Sequence, residues 1–159
     1  MESPLPVVVV AVIQNERILL LKRANEPYQG LWNFPGGKIK RGEHPSSAAK
    51  RELLEETGIV GSYGEIVGIV SEHIIEENNV TYHNLLFVCQ MRCEQKIPQK
   101  SKEGEVSWFD LASVTTKNEV AINPCDLQII KRMLLNKENS YFECLLEKKE
   151  DKYQLTSFT

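Results

Sequence analysis

Hydrophobic and polar positions divide the first part of the chain into short β-type runs. Residues 7–13 and 17–22 are apolar and rich in β-branched side chains, and Gln14-Asn15-Glu16 separates them. This pattern predicts a hairpin. A loop over 23–31 and a short strand over 32–34 are expected next.

The middle of the chain predicts a second, longer hairpin. Residues 65–75 and 80–92 predict two long strands. We expect them to join at Asn78-Asn79, because asparagine tolerates left-handed turn geometry. A polar loop over 94–104 and a short strand over 106–109 follow.

Two segments predict helices. Residues 45–57 begin at Pro45, whose missing N–H costs nothing at the first helical position, and end at Thr57-Gly58, where glycine suits a left-handed cap. Residues 124–136 follow Asn123, a good N-cap, and apolar side chains recur there at helical spacing: Leu127, Ile130, Met133 and Leu134. Strands mixed with helices predict an α/β fold.

The C-terminal extension, about residues 140–159, has two interpretations. Ser140 and Glu143 match a helical capping box, whereas the next apolar side chains alternate as in a strand: Phe142, Cys144 and Leu146. We favour a hairpin that turns at 148–152.

Composition narrows the class of protein. A chain of 159 residues with 42% hydrophobic and 26% charged residues predicts a single domain over 1–159 with a real core. The formal charge of −3 argues against a nucleic-acid partner. The apolar run 7–13 is too short to span a bilayer and lacks a signal peptide's features, so we expect no membrane association and a cytoplasmic location. The oligomeric state stays open, with a homodimer as one candidate.

The four cysteines form no Cys-x-x-Cys pair, and no histidine lies at zinc-finger spacing. We therefore expect them to be small core residues of a protein in a reducing compartment. His73 and His83, in the two long strands, suggest either a metal pair or half-buried, hydrogen-bonded side chains. We favour the second interpretation.

Three glutamates carry the candidate chemistry. Glu52, Glu55 and Glu56 stand at i, i+3 and i+4 of the predicted helix and share one face. Solvated acidic faces are common, but this one lies between a predicted glycine turn, residues 34–37, and a clean helix stop. Converging carboxylates suit Mg²⁺ or Mn²⁺, which prefer hard oxygen ligands. The carbonyl of Gly36 or Gly37 is a further candidate ligand.

At this point the chain resembles a known family. Residues 37–59 match the Nudix box at every fixed position: Gly37, Glu43, Arg51, Glu52, Leu53, Glu55, Glu56, Gly58 and Ile59. The resemblance implies an α/β/α sandwich with a mixed central sheet and hydrolysis of a nucleoside diphosphate linked to another group. It also implies dependence on a divalent metal ion held by the glutamates of the box. Fold and box do not determine the substrate.

The neighbouring box residues receive supporting roles. Arg51 is adjacent to Glu52 in sequence, so we expect its guanidinium to point away from the metal cluster, where it holds Glu43 or Glu55 in place. Glu43 precedes the helix and is a candidate metal ligand, water-orienting group or hydrogen-bond acceptor.

The general base has two candidates. Glu52 lies one turn before the Glu55-Glu56 pair, and Glu103 lies before the strand that contains Trp108. Many Nudix enzymes carry an additional glutamate in the corresponding loop, and Glu103 matches that position better than Glu105. A plain surface charge is the competing interpretation of Glu103.

The substrate predictions rest on resemblance to the MutT-type branch, whose members hydrolyse nucleoside triphosphates, including oxidised purine nucleotides, to a monophosphate and pyrophosphate. Arg23 matches a phosphate-contacting arginine, Phe34 an aromatic beside the base, and Lys38 continues the Gly36-Gly37 motif. Asn123 falls near an asparagine that reads the base edge, although its helix-capping role explains it equally well.

Two alternatives remain open. Asn33 replaces the glutamate usual in the MutT branch, and residues 23–32 equally resemble ADP-ribose pyrophosphatases, which release AMP and ribose 5-phosphate. A non-catalytic nucleotide-binding regulator is a third possibility, but such relatives commonly lose glutamates of the box, and none is lost here.

Overall fold

The computed structural model describes residues 2–94 and 96–159, so the predicted loop over 94–104 is covered except for Gln95. Its ten strands are β1 Leu5–Ala11, β2 Ile13–Gln14, β3 Arg17–Arg23, β4 Trp32–Asn33, β5 Gly36–Lys38, β6 Gly61–Glu76, β7 Asn79–Cys93, β8 Gly104–Asp110, β9 Tyr141–Lys149 and β10 Lys152–Phe158. The helices are α1 Pro45–Thr57, α2 Leu111–Thr115 and α3 Pro124–Gln128, which continues as a π-helical segment, Ile129–Leu135.

The larger sheet is mixed and has six strands in the order β10-β9-β6-β7-β1-β5. β1 runs parallel to β7, and β9 runs parallel to β6, while the remaining neighbours are antiparallel. The smaller sheet has β3 at its centre, paired with β2, β4 and β8. Both sheets contribute to the same packed interior.

The first predicted hairpin is only partly correct. Just two residue pairs connect β2 with β3, Ile13 with Ile18 and Gln14 with Arg17. The apolar run before them leaves for the larger sheet, where β1 lies between β7 and β5. Alternation along a strand predicts which side chains are buried, but it does not identify the partner strand.

The two later hairpins agree with the sequence. β6 and β7 pair along nearly their whole length, and the tight turn falls on Glu77 and Asn78, both with positive φ, one position earlier than predicted. The C-terminal extension forms the β9–β10 hairpin, with its turn at Glu150 and Asp151. The helical interpretation of this extension is therefore wrong.

Two hydrophobic clusters lie on opposite faces of the larger sheet. On one face α1 packs through Ala48, Ala49 and Leu53, which meet alternate residues of β1 and β7. On the other face α3 and its π-helical continuation pack against buried side chains of β6, β9 and β10. The predicted helix–sheet–helix layering is thus observed.

α1 begins and ends as its sequence indicates. Pro45 occupies the first turn, and Gly58 takes the left-handed conformation (φ 72°) that ends the helix. The second predicted helix, over 124–136, is observed as α3 with its π-helical continuation, and Asn123 is its N-cap. Its second half has the wider π-helical turn, which the sequence did not predict.

The predicted turn at 34–37 is wrong at its glycines. Gly36 and Gly37 belong to β5 and pair with Val9 and Val8 of β1, without positive φ. A side chain at Gly36 would collide with the carbonyl oxygen of Val8, and a Cβ at Gly37 would lie 2.5 Å from Oε1 of Glu52. The two glycines are therefore explained by close approach to their neighbours.

Three of the four cysteines, Cys89, Cys125 and Cys144, are buried, Cys93 is half-buried, and all four are free. This confirms the prediction that they fill the interior. Within residues 2–94 and 96–159, none of the helices combines the length and the apolar character needed to cross a membrane.

Candidate active site

Arg51 organises the acidic face of α1. Its guanidinium donates to both carboxylate oxygens of Glu43 (2.7 and 2.9 Å), to Oε1 of Glu52 (2.7 Å) and to Oε2 of Glu55 (3.2 Å). It also donates to the carbonyl of Lys38 in β5 (3.1 Å). The hydrogen bond to Glu52 shows that the expectation that Arg51 points away from the metal cluster is wrong, whereas the predicted hold on Glu43 or Glu55 agrees with the observed bonds to both. One planar fork of donors thus connects the loop, the helix and the strand.

Glu43 acts as an acceptor in this arrangement. Besides Arg51, its carboxylate accepts a hydrogen bond from the backbone N–H of Lys40 (3.0 Å). These bonds, those from Arg51 above all, lower the pKa of Glu43 to about 2. Of the three roles predicted for Glu43, the contacts favour the hydrogen-bond acceptor that holds Arg51.

Glu56 is the most deeply placed carboxylate of the face. Its Oε2 accepts from the backbone N–H of Gly36 (2.9 Å), which ties α1 to β5. Burial raises the pKa of Glu56 to about 8, and the charges of Glu52 and Glu103 act in the same direction. Glu103 therefore belongs to the same cluster, although it comes from the loop before β8.

Glu105, the weaker of the two candidates outside the box, lies elsewhere. It pairs with Lys22 across β3 and β8, while Glu103 lines the cavity beside Glu52 and Glu56. The preference for Glu103 agrees with this placement.

Glu55 is the outermost of the three helix glutamates, with 55% of its side chain exposed. Its Oε2 and Oε1 of Glu52 both accept from Nη1 of Arg51. In the described part of the chain, no group of three or more His, Cys, Asp or Glu side chains is already arranged to hold a metal ion.

A cavity of about 720 Å³ extends from this cluster into the protein. Its acidic end is lined by Gly37, Lys38, Arg51 and four glutamates: Glu52, Glu55, Glu56 and Glu103. The opposite end, which we call the inner end, is lined by side chains of β4, β6, β7, α3 and the adjoining loops: Tyr28, Asn33, Phe34, Glu72, Asn84, Asn123 and Asp126. Volumes of this size accommodate small organic ligands.

Three predicted substrate-binding residues border the cavity. The Nε of Arg23 donates to the carbonyl of Pro27 (2.6 Å), so the guanidinium also shapes the loop that follows β3. The charge of Arg23 partly offsets the increase that burial causes in the pKa values of Glu56 and Asp126. This places Arg23 between the two ends of the cavity. Phe34 is buried at the inner end, and Lys38 is exposed at the acidic end.

Asn123 has both of the predicted features. Its Oδ1 accepts from the backbone N–H of Cys125 (2.8 Å), the bond of an N-cap, and its Nδ2 donates to Oδ1 of Asn33 (2.8 Å). Asn33 in turn donates to the carbonyl of Leu31 (2.8 Å). Each Nδ2 group has two N–H donors and uses one of them in these bonds. Both residues line the cavity.

Comparison with known proteins decides the family. The family model for the NUDIX domain matches residues 4–132, which is most of the chain. The chain belongs to the Nudix family.

Its relatives carry different names. The chain is 31% identical over 98 residues to the ADP-ribose pyrophosphatase of Methanocaldococcus jannaschii, a match that covers 62% of the chain and 57% of that protein. It is also 31% identical over 105 residues to the oxidized purine nucleoside triphosphate hydrolase of Danio rerio, covering 66% of the chain and 65% of that protein. The chain thus spans less than two thirds of either relative.

A solved structure extends the similarity to the C-terminal hairpin. The crystal structure of a MutT protein from Bacillus halodurans superposes with a TM-score of 0.75 at 28% identity, covering 98% of this chain and 96% of that one. The α/β fold with a mixed sheet is therefore that of a Nudix protein.

Sequence reasoning missed four residues of this Nudix cavity. Asp126 accepts from the backbone N–H of Phe34 (2.9 Å), and burial raises its pKa to about 8. The other three, Tyr28, Glu72 and Asn84, form a hydrogen-bonded cluster. One signal was present for Glu72 and Asn84: each is a polar residue at an inward position of a long apolar strand.

The two strand histidines do not join the site. His73 and His83 are cross-strand neighbours, half-buried, with edge-to-face rings 4.2 Å apart. Desolvation and the neighbouring His73 lower the pKa of His83. Their half-buried position agrees with the interpretation that we favoured over a metal pair, but the contact between them is one of rings and not the predicted hydrogen bonding.

Proposed function

We propose that the protein is a metal-dependent pyrophosphohydrolase that converts a nucleoside triphosphate and water into a nucleoside monophosphate and pyrophosphate. One observation carries the proposal. The carboxylates of Glu52, Glu56 and Glu103 gather at one end of a cavity whose other end is lined by buried polar side chains. An acidic end suits a metal–phosphate complex, and the inner end suits a base.

The donor set fits Mg²⁺ or Mn²⁺. Glu52 and Glu56 are largely buried and close enough for the charge of Glu52 to add to the raised pKa of Glu56, a cost that a divalent cation removes. Glu55 is exposed enough to rotate from Arg51 towards them. We propose Glu52, Glu55 and Glu56 as ligands, with the carbonyl of Gly37 as a backbone donor. A bound cation neutralises phosphate charge and acidifies a nearby water.

The side chains supply the remaining catalysis. The anhydride is shielded by its own negative charge, so positioning and charge neutralisation account for most of the rate. Arg23 and Lys38 border the cavity and neutralise phosphate oxygens. Glu103 or Glu52 accepts the proton of the attacking water, and Arg51 with Glu43 holds the helix face in position.

The triphosphate is preferred because the inner end is lined by buried side chains that present several hydrogen-bonding groups to a base. Phe34 offers an apolar contact, and Asn33 and Asn123 offer amide donors to a base edge. The Danio rerio relative and the MutT structure favour this choice, whereas the Methanocaldococcus jannaschii relative favours ADP-ribose as the competing substrate.

Product analysis with a substrate panel tests the proposal. The protein is incubated with Mg²⁺ and GTP, 8-oxo-dGTP, ATP, CTP or ADP-ribose, and products are separated by ion-exchange chromatography. We expect a monophosphate and pyrophosphate from at least one purine triphosphate. Glu56→Gln removes a carboxylate of the site, and Glu65→Gln removes an exposed carboxylate elsewhere. Comparing the turnover of the two variants separates loss of the site from loss of a negative charge alone.

Two results would contradict the proposal. Efficient release of AMP from ADP-ribose with poor turnover of every triphosphate would favour the pyrophosphatase. Nucleotide binding without turnover of any substrate in the panel would favour the non-catalytic regulator.

A further inference from the structure

A buried carboxylate lies at the inner end of the cavity. Glu72 has only 2% of its surface exposed, yet it lines the cavity together with Tyr28 and Asn84. Its Oε2 accepts from the hydroxyl of Tyr28 and its Oε1 from Nδ2 of Asn84, each at 2.9 Å. Both oxygens are thus held in fixed positions.

The two polar residues interrupt an apolar surface. Glu72 and Asn84 are direct partners across β6 and β7, and their inward neighbours are the core residues Val70, Ile74 and Leu86. An aliphatic pair at these positions would extend the core, whereas burying a carboxylate there costs free energy. Features that oppose stability in this way are typical of functional sites.

The carboxylate has no balancing cation. Among the described residues, no lysine, arginine or histidine forms an ion pair with Glu72, and its two hydrogen-bond partners, Tyr28 and Asn84, are neutral donors. A carboxylate accepts about four hydrogen bonds, so roughly two positions remain. Its negative charge also contributes to the raised pKa of Asp126, which places both carboxyl groups at the same end of the cavity.

We infer that Glu72 determines base specificity by accepting hydrogen bonds from two adjacent N–H groups of the base, as presented by the ring N–H and exocyclic amine of a guanine-type edge. This inference rests on the proposed function. Tyr28 and Asn84 are positioning residues that fix the two oxygens. An adenine-type edge places a ring acceptor where guanine has a donor, and that acceptor would face the carboxylate unfavourably.

A purely structural role predicts something different. If Glu72 only connects β6, β7 and the loop of Tyr28, its replacement alters stability and affects all nucleotides equally. If Glu72 contacts the base, its replacement changes the ratio between bases that differ in one donor. Inosine triphosphate, which lacks the exocyclic amine of GTP, provides that comparison.

The experiment measures kcat/KM for GTP, ITP and ATP with wild type, Glu72→Gln and the control Glu65→Gln, an exposed glutamate of the same strand. A hydrogen bond to a charged group contributes about 1.5–3 kcal/mol, so wild type and control should prefer GTP over ITP by about 10- to 100-fold. In Glu72→Gln the preference should fall to less than about 3-fold. Binding of GMP and IMP, measured by calorimetry without metal, should show the same pattern.

Each outcome decides the inference. A wild type that hydrolyses triphosphates but treats GTP and ITP alike overturns it and leaves the proposed function standing. If no triphosphate is hydrolysed, the proposed function fails, and the GMP and IMP affinities decide whether Glu72 reads the base. If Glu72→Gln does not fold, Tyr28→Phe takes its place, and an unchanged GTP-to-ITP ratio in that variant contradicts the inference.

Discussion

The two ends of the cavity are built in different ways. At the acidic end, Arg51 contacts Glu43, Glu52 and Glu55, which are at most eight positions away in the chain. At the inner end the hydrogen bonds join residues far apart in sequence, such as Tyr28 with Glu72 and Phe34 with Asp126. The acidic end is mainly a local motif, to which the fold adds Glu103, whereas the inner end is assembled by the fold.

The difference extends to electrostatics. Arg51 supplies a cation to the acidic end and lowers the pKa of Glu43 to about 2, although burial raises the pKa of Glu56 at the same end to about 8. The inner end relies on neutral donors, and burial raises the pKa of Asp126 to about 8. We infer that the acidic end is built for charge and the inner end for recognition, which suits a family with shared chemistry and varied substrates.

The largest loss of turnover should come from a substitution at the acidic end. Glu56→Gln keeps the shape of the side chain but removes the charge, and we expect turnover to fall by about two to four orders of magnitude through loss of metal and transition-state stabilisation. Steady-state kinetics with saturating Mg²⁺ measures this, with Glu65→Gln as control and circular dichroism to check the fold. Activity within a few-fold of wild type would remove Glu56 from the metal site.

The donor fork of Arg51 provides the next test. Arg51→Lys retains the charge but cannot hold Glu43, Glu52 and Glu55 in one plane, so we expect kcat to fall by about 10- to 100-fold. The exposed Arg41→Lys is the matched control. If kcat is unchanged in both variants, the fork does not position the catalytic face.

Asp126 and Glu56 make the pH dependence of stability unusual. Because their pKa values are raised to about 8, the folded protein holds protons between about pH 4.5 and pH 8 that the unfolded chain has released. Metal-free stability should therefore fall as pH rises through this window, by up to about 1.4 kcal/mol per pH unit for each proton. Asp126→Asn should remove one of the two contributions, as chemical denaturation between pH 5 and pH 8 in EDTA would reveal. A slope identical to wild type would contradict the raised pKa of Asp126.

The smallest effect on stability concerns Asn123. A cap tolerates aspartate, so Asn123→Asp should change the free energy of unfolding by at most about 1 kcal/mol. A base-reading amide does not tolerate the change, because aspartate lacks the N–H donor, and discrimination between purine and pyrimidine triphosphates should alter. If stability and substrate profile both stay the same, Asn123 is only a cap.

Much of the acidic end was predictable because its information is local. The Nudix box identified Arg51 and the glutamates around it, which lie in one helix and in the loop before it. Gly58 marked the end of that helix. The direction of the Arg51 side chain was not predictable, since a flexible arginine reaches several neighbours.

The inner end was harder to predict because it depends on the register of a hairpin and on which loops meet it. The β6–β7 hairpin was predicted, but its turn lies one position earlier than expected, and only the observed register places Glu72 opposite Asn84. The role of Gly36 and Gly37 was also missed, because close packing of β5 against β1 and Glu52 is a long-range property. Sequence patterns gave these strands but not their neighbours.

Hydrolysis of GTP in water enriched in ¹⁸O, with Mg²⁺ or with EDTA, tests metal-dependent pyrophosphate release. Mass spectrometry should find GMP and pyrophosphate in equal amounts, with one labelled oxygen per turnover, and no products in EDTA. Release of GDP and orthophosphate, or full activity without metal, would contradict the proposed reaction at the acidic end.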